Sequence, residues 1–327
     1  MLKQLRESAS TIVVDGGDLF FSQPKLANHA LEKERVRAKA LVQAYNQLST
    51  DVMTVGERDL AGGLDFLLEL ADSARFPIIS ANLTDANGNH PLPPSTIIER
   101  DGLKWGFIGV SAHQWEDAVV SFDDPIEAVI EQVGKLHSEV DFLTVLFHGN
   151  RDQLKELAQS VQDVDLIIQS HANTLRRDLG SGPIPVALLG TEGKYVCTIQ
   201  VNLDVPGEAI RDISKLKTTL NNAERGLERL KRNQPEDAIL EEIYADQPKV
   251  LERIAVYKQR IASMTGELDE AVNSVNFEAV DCVNFEAVAL SAEIGDDKLM
   301  LEFVNQTKTA MGAVGNTDSV EVAQISQ

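Results

Sequence analysis

The chain is short of cysteine, aromatic residues, positive charge and long apolar runs, and each shortage limits what it can be. Its two cysteines, Cys197 and Cys282, lie far apart and form no Cys-x-x-Cys pair. They say little about redox compartment and read as a buried thiol pair, with a single disulfide as the alternative. Aromatic residues make up 5% of the chain, so the core must be mostly aliphatic. No apolar run approaches the ~18 residues that a membrane-spanning helix needs. The opening Met1-Leu2-Lys3-Gln4-Leu5-Arg6 has no apolar segment after its basic residues, so no export signal is visible and localisation stays open. Lys and Arg number 30 against 51 Asp and Glu, a formal charge of -21. Nucleic acids and anionic membranes reward basic patches, so neither is expected as a partner. Free anionic substrates are also disfavoured unless a local cation reverses the field.

What remains is ordinary for a folded protein: 327 residues, 43% hydrophobic and 25% charged. That length allows two domains, or one large domain with an appendage. Up to about residue 205, short aliphatic runs alternate with amphipathic helical stretches, the pattern of an α/β domain. Strands are expected near 11–15, 52–55, 77–81, 95–100, 104–110, 142–147, 165–169, 185–190 and 195–203. Helices are expected near 31–48, 63–74, 125–138 and 152–161, the last capped by Asp152. Asp101-Gly102 suits a type I′ hairpin turn.

After Pro206 the periodicity changes. Ile213, Leu216, Leu220, Ala223, Leu227 and Leu230 form one heptad stripe, and Val250, Ile254, Tyr257, Ile261, Met264 and Leu268 form another. Pro235 and Pro248 interrupt the segment between them. The pattern predicts two helices of roughly 20 residues, about 30 Å each, folded as an antiparallel hairpin or extended as a partner-binding arm. Beyond them Val275-Asn276-Phe277-Glu278-Ala279-Val280 recurs as Val283-Asn284-Phe285-Glu286-Ala287-Val288, which fits one strand, a hairpin or a duplication without functional meaning. A helix is expected near 296–311, and the small, polar segment from Gly312 reads as a disordered tail. The segments are thus 1–205, a helical hairpin over 206–272, a short α/β segment over 273–311 packing back on the first domain, and the tail 312–327.

The most informative stretch is Ile12-Val13-Val14-Asp15-Gly16-Gly17-Asp18-Leu19-Phe20. An apolar run breaks at paired glycines, where backbone can approach an ion closely, and then presents a carboxylate. Three other segments end alike, with polar residues just past an apolar run: Val55-Gly56-Glu57-Arg58-Asp59, Leu146-Phe147-His148-Gly149 and Gln169-Ser170-His171. Ligands of α/β sheets bind beyond the carboxyl ends of strands, so four such ends can share one crevice. That arrangement points to a metal site.

With Ser80-Ala81-Asn82-Leu83, Ser170-His171-Ala172-Asn173 and the turn Gly190-Thr191-Glu192-Gly193-Lys194-Tyr195 added, the first 205 residues resemble the metallophosphoesterase domain of the 5′-nucleotidase and UDP-sugar hydrolase family. The resemblance implies a four-layer α-β-β-α sandwich of two mixed sheets, here with the C-terminal antiparallel helical hairpin attached. It also implies phosphate-ester hydrolysis with divalent metal (Mn, Zn, Mg or Ca), which neutralises phosphate oxygens and acidifies a water. Carried over by position, Asp18 is the bridging carboxylate, Glu57 takes the place of an asparagine ligand, and His148 and His171 are imidazole ligands. The resemblance also calls for an Asp-x-His strand ahead of the opening helix, which the sequence as given does not contain. Arg58 stands where the family has its catalytic histidine, and Asn173 where a final histidine ligand belongs. Arginine does not titrate near neutrality, so Arg58 is no general acid. It can clamp a phosphate bidentately, stand in for a cation, or pair structurally with Asp18 or Asp59. A single metal is then more in keeping than two, or none at all.

Asn82 either faces the site or caps a turn, and His90, His113 and His137 show no constellation. The sequence thus implies a divergent metal-dependent phosphoester hydrolase acting on a small phosphate ester, with Arg58 and Asn173 facing the phosphate. The alternative is a catalytically degenerate scaffold that meets a protein partner through its helical hairpin. The aromatic stacking by which the family's C-terminal domain holds a nucleobase finds no counterpart, since the hairpin takes up that length.

Overall fold

The computed structural model describes residues 1–113, 119–171, 184–189, 193–203, 210–232, 234–235, 238–272, 281–291 and 294–325. It divides into two compact units, one of Met1–Val196 with Val288–Gln327 and one of Cys197–Ala287.

The first unit is a mixed α/β fold. In chain order it holds α1 (Leu2–Ser8), β1 (Val14–Asp15), α2 (Leu31–Leu48), β2 (Val52–Thr54), α3 (Leu64–Ser73), β3 (Ile78–Ile79) and β4 (Leu83–Asp85). There follow β5 (Ser95–Arg100), β6 (Leu103–Ser111), β7 (Val120–Phe122), α4 (Pro125–Leu136), β8 (Phe142–His148), α5 (Arg151–Ser160), β9 (Leu166–Ser170) and β10 (Val186–Leu188). One sheet is the parallel trio β1-β2-β3, and a second runs β10-β9-β8-β6-β5. Its strands are parallel except for β5, which pairs antiparallel with β6.

Local chemistry accounts for these elements. Strand β8 is buried at every position, as a strand covered on both faces must be. Edge strand β5 keeps every residue partly exposed. Asp101 (φ 52°) and Gly102 (φ 79°) both lie in the left-handed region, as the predicted type I′ turn requires. Asp124 caps α4 by accepting the N–H groups of Ile126 and Glu127, with Pro125 in the first helical position. The cap of α5 corrects the sequence-based expectation. It is Asn150, not Asp152, because the Asn150 side chain accepts from Asp152 and Gln153 while Gln153 reaches back to the Asn150 N–H.

Two apolar cores fill the unit. The one around β6, β8, α4 and α5 is aliphatic apart from Phe147. The other, under α2 and α3, gathers Phe20, Phe21, Phe66 and Phe76. The two sheets approach closely at Gly109 of β6, where a Cβ would stand 2.5 Å from Thr54 Oγ1 and 2.8 Å from Ile79 Cγ1.

Most of β11 (Tyr195–Asn202) and β13 (Cys282–Ala289) lies in the second unit and, with β12 (Arg211–Asp212), makes a sheet ordered β11-β13-β12, beside α6 (Ser214–Lys231), α7 (Leu240–Ile243) and α8 (Pro248–Val272). Helix α6 packs along α8, with Gly226 against the Tyr257 ring. The residues of both heptad stripes are buried or half-buried. The second copy of the repeated hexapeptide forms most of β13 in this sheet. The first copy lies outside the described residues. Cys197 is half-buried and Cys282 buried, and both carry thiols.

The last helix, α9 (Lys298–Ile325), packs on α2 in the first unit. Its backbone continues well past residue 311, through the segment read as a disordered tail. Glycine costs a helix only about 1 kcal/mol, and no proline follows Pro248 to stop it. None of the helices among the described residues is long and apolar enough to cross a membrane.

Candidate metal centre

Four strand ends converge. Strand β1 leads through Gly16-Gly17 to Asp18, and β2 leads into a 3₁₀ turn, Glu57–Leu60. Strand β8 ends on His148, and His171 follows β9 directly. Asp18, Glu57, His148 and His171 each offer a ligand atom, and these atoms all lie within 4.8 Å of one another. Glu57 and His148 are buried, whereas Asp18 and His171 are half-buried and give the cluster an open side. Asp18 (φ 61°) and His171 (φ 62°) have left-handed backbones, which Asp and His tolerate better than most residues. Such strain concentrates at functional positions.

The distances define the pocket's chemistry. His148 Nε2 lies 2.6 Å from Glu57 Oε2 and 3.6 Å from Asp18 Oδ2. His171 Nδ1 lies 3.4 Å from Glu57 Oε1 and 3.5 Å from Asp18 Oδ2. The two imidazoles meet edge to face at 4.9 Å between centroids. Behind them, His148 Nδ1 lies 2.8 Å from Ser170 Oγ and 3.2 Å from the Gly16 carbonyl, while Ser170 Oγ donates to that same carbonyl. A proton on Nδ1 leaves Nε2 facing the carboxylates, the orientation a metal-ligating histidine takes from its outer partners.

Electrostatics couple the group. Burial alone would raise the Glu57 carboxyl, but the hydrogen bond and charge of His148, with His171, hold it down to about 2. Burial likewise works against a charged His148, yet Glu57, Asp18 and Asp59 together raise it above its ordinary 6.5. Beneath the cluster, burial pushes Asp15 up against the hydrogen bonds it accepts from Tyr45 Oη (2.7 Å) and the Gly17 N–H (2.9 Å).

The other sequence-predicted positions divide. Arg58 sits at the rim with its side chain 38% exposed and its Nε 3.3 Å from Asp18 Oδ2, so it pairs with Asp18. Its backbone N–H also donates to Asp18 Oδ1 at 2.9 Å. Asn173 lies outside the described residues. Asn82 is fully buried and spends its amide on the backbone of Ser111 and Asp123, which makes it a clamp within the fold. Sequence reasoning missed Asp59, Asp15, Ser170 and His113. The His113 ring lies 6.4 Å from that of His171, a proximity with no sequence signal.

No protein-family model matches the chain. The trifunctional nucleotide phosphoesterase YfkN of Bacillus subtilis (strain 168) is 25% identical over 248 residues, 62% of this chain and 17% of that protein. The metallophosphoesterase YunD of the same strain is 27% identical over 227 residues, covering 67% and 47%. Snake venom 5′-nucleotidase from Naja atra is 25% identical over 221 residues, covering 61% and 40%. The chain is similar, at low identity, to 5′-nucleotidase-like metallophosphoesterases. It spans less than half the length of each of these three. Among solved structures, the calcineurin-like phosphoesterase YfkN from Bacillus subtilis has a TM-score of 0.61 at 18% identity, over 96% of this chain and 88% of that one. A 5′-nucleotidase precursor from Thermus thermophilus has a TM-score of 0.51 at 21% identity, covering 64% and 45%. These likenesses show a mixed α/β fold matching that of calcineurin-like phosphoesterase structures.

Proposed function

We propose that the chain is a metal-dependent phosphoester hydrolase of the 5′-nucleotidase type, acting on nucleotide or similar small phosphate esters. The observation that carries this reading is the meeting of Asp18, Glu57, His148 and His171 at four strand ends, with one ligand atom of each within 4.8 Å of the others. The donors fit a divalent cation: two carboxylates and two imidazoles suit Mn, Zn, Mg or Ca to differing degrees, and the Ser170–Gly16 support behind His148 is the outer shell such a site needs. A cation held there neutralises phosphate oxygens and acidifies a water. The protein's own residues do the rest. Arg58, exposed at the rim, grips phosphate oxygens through its planar fork and supplies the local positive field that a chain of charge -21 otherwise lacks. Asn173, two residues beyond His171 in the sequence, is assigned to the same phosphate. Half-buried Asp18 and His171 keep the approach open.

The finer architecture belongs to this proposal: a four-layer sandwich around the two sheets, with α6 and α8 as an antiparallel hairpin. A second reading has its own support. Arg58 is committed to an ion pair with Asp18 and cannot transfer a proton, as fits a degenerate domain kept as a scaffold, with the hairpin meeting a protein partner. One experiment separates the two. Protein stripped with EDTA is reloaded with Mn2+, assayed for bound metal and tested on a chromogenic phosphate ester. The hydrolase reading expects metal uptake and metal-dependent turnover that falls to background in Asp18→Ala. No bound metal and no rate above background would leave the scaffold.

A further inference from the structure

Asp59 contributes no ligand atom to the cluster, yet it lies fully buried beneath it. As the third residue of the 3₁₀ turn, its carboxylate reaches back to the capping Gly56, whose N–H donates to Oδ2 at 2.9 Å. The same Oδ2 accepts the Asp18 N–H at 2.8 Å, and Oδ1 accepts the Phe20 N–H at 2.9 Å. One carboxylate therefore ties the loop after β1 to the turn after β2, the two segments that carry Asp18 and Glu57. The tie is reciprocal, because Asp18 Oδ1 accepts the Arg58 N–H from that turn. Asp18 is also the residue whose backbone sits at φ 61°, a conformation that must be held by its surroundings. Placing a carboxylate in the interior is costly unless it is hydrogen-bonded, and all three bonds here go to these two ligand-bearing segments.

We propose that Asp59 is a positioning residue that fixes the spacing of the Asp18 and Glu57 carboxylates for a divalent cation. The inference rests on the metal reading above. It assigns the latch a function beyond holding the fold, since it sets the geometry of two donors without touching the ion.

The test titrates Mn2+ into the full chain. Asp59→Asn keeps the size of the side chain but turns one acceptor into a donor that faces a backbone N–H. Loss of such an outer partner typically weakens metal binding by about 10–100-fold, and that rise in Kd is expected here. Val129→Ala, in the core around α4, serves as the control. It should lower the thermal midpoint without moving the Kd. An Asp59→Asn variant with the wild-type Kd overturns the proposal, as does a Val129→Ala variant that loses affinity equally. If Asp59→Asn does not fold, hydrogen exchange in the wild type decides. The Gly56, Asp18 and Phe20 amides should share one opening free energy, and independent exchange refutes the latch. A wild type that takes up no Mn2+ refutes the metal reading and this inference together. Uptake with an unmoved Kd in Asp59→Asn refutes the inference alone.

Discussion

Gly56→Ala adds one methyl group at the point where the two carboxylate-bearing loops meet. Gly56 has φ −101° and ψ 173°, an extended backbone open to any residue, so the cost is purely steric. The new Cβ would stand 2.4 Å from Asp18 Oδ1, 2.7 Å from His148 Cε1 and 2.8 Å from the Asp18 nitrogen. None of these neighbours gives way easily. Asp18 Oδ1 is held by the Arg58 N–H, and His148 is 1% exposed and fastened at both ring nitrogens. Overpacking of this kind costs about 1–3 kcal/mol, and breaking the Asp18–Arg58 bond adds about 1 kcal/mol. The thermal midpoint should fall by roughly 3–8 °C. Wild-type protein should gain stability with added Mn2+ by mass action, whereas Gly56→Ala should show no metal-dependent shift. Calorimetry with and without Mn2+ reads both effects. Gly134→Ala is the companion variant. It lies exposed within α4 with nothing near its would-be Cβ, and should stabilise by about 0.5–1 kcal/mol. If Gly56→Ala melts with the wild type and keeps the Mn2+ shift, the loops are not packed as described.

Two further predictions concern pH. In metal-free protein the Glu57 carboxyl is depressed from 4.5 to about 2, so its contribution is present above pH 4.5 and is lost as the pH falls towards 2, by at most about 3 kcal/mol. The difference in urea midpoint between wild type and Glu57→Gln should shrink across that window, and a constant difference refutes the assignment. The raised His148 gives the same ion pair its opposite limit, since stability from its charge is present below 6.5 and lost as the pH climbs through its folded value. A cation must displace that proton from Nε2, so Mn2+ affinity should increase with pH up to the same value. Titration calorimetry in buffers of different ionisation heat should detect proton release on binding; identical heats in all buffers would contradict it.

Much of the first unit was legible because its signals are local. The helix expected over 31–48 matches Leu31–Leu48, and the apolar run 142–147 became β8 with His148 at its end. The hairpin at Asp101-Gly102 followed from turn chemistry alone. Strand β1 is shorter than the run 11–15, pairing with β2 only at Val14 and Asp15. The cap of α5 was misplaced although its Asn150-x-x-Gln153 box stood in the sequence. Composition misled over the last helix, where small residues continued rather than ended it. At the candidate site, Asp18, Glu57, His148 and His171 could be picked out because each follows an apolar run. Asp59 could not, because its role depends on backbone N–H groups supplied from 41 and 39 residues away. Nor could Ser170 or His113, whose neighbours are set by the packing of strands and loops.

The four donors arrive as two couples: Asp18 and Glu57 follow strands of the three-stranded sheet, while His148 and His171 come from the five-stranded one. Either sheet alone presents only two of the four candidate ligands, so on the proposed metal reading the full set would assemble only once both have docked. A bound cation would then act as a clasp between them, resisting any sliding at the Gly109–Thr54 contact. Ion retention would report whether these two sheets of the first unit remain in register.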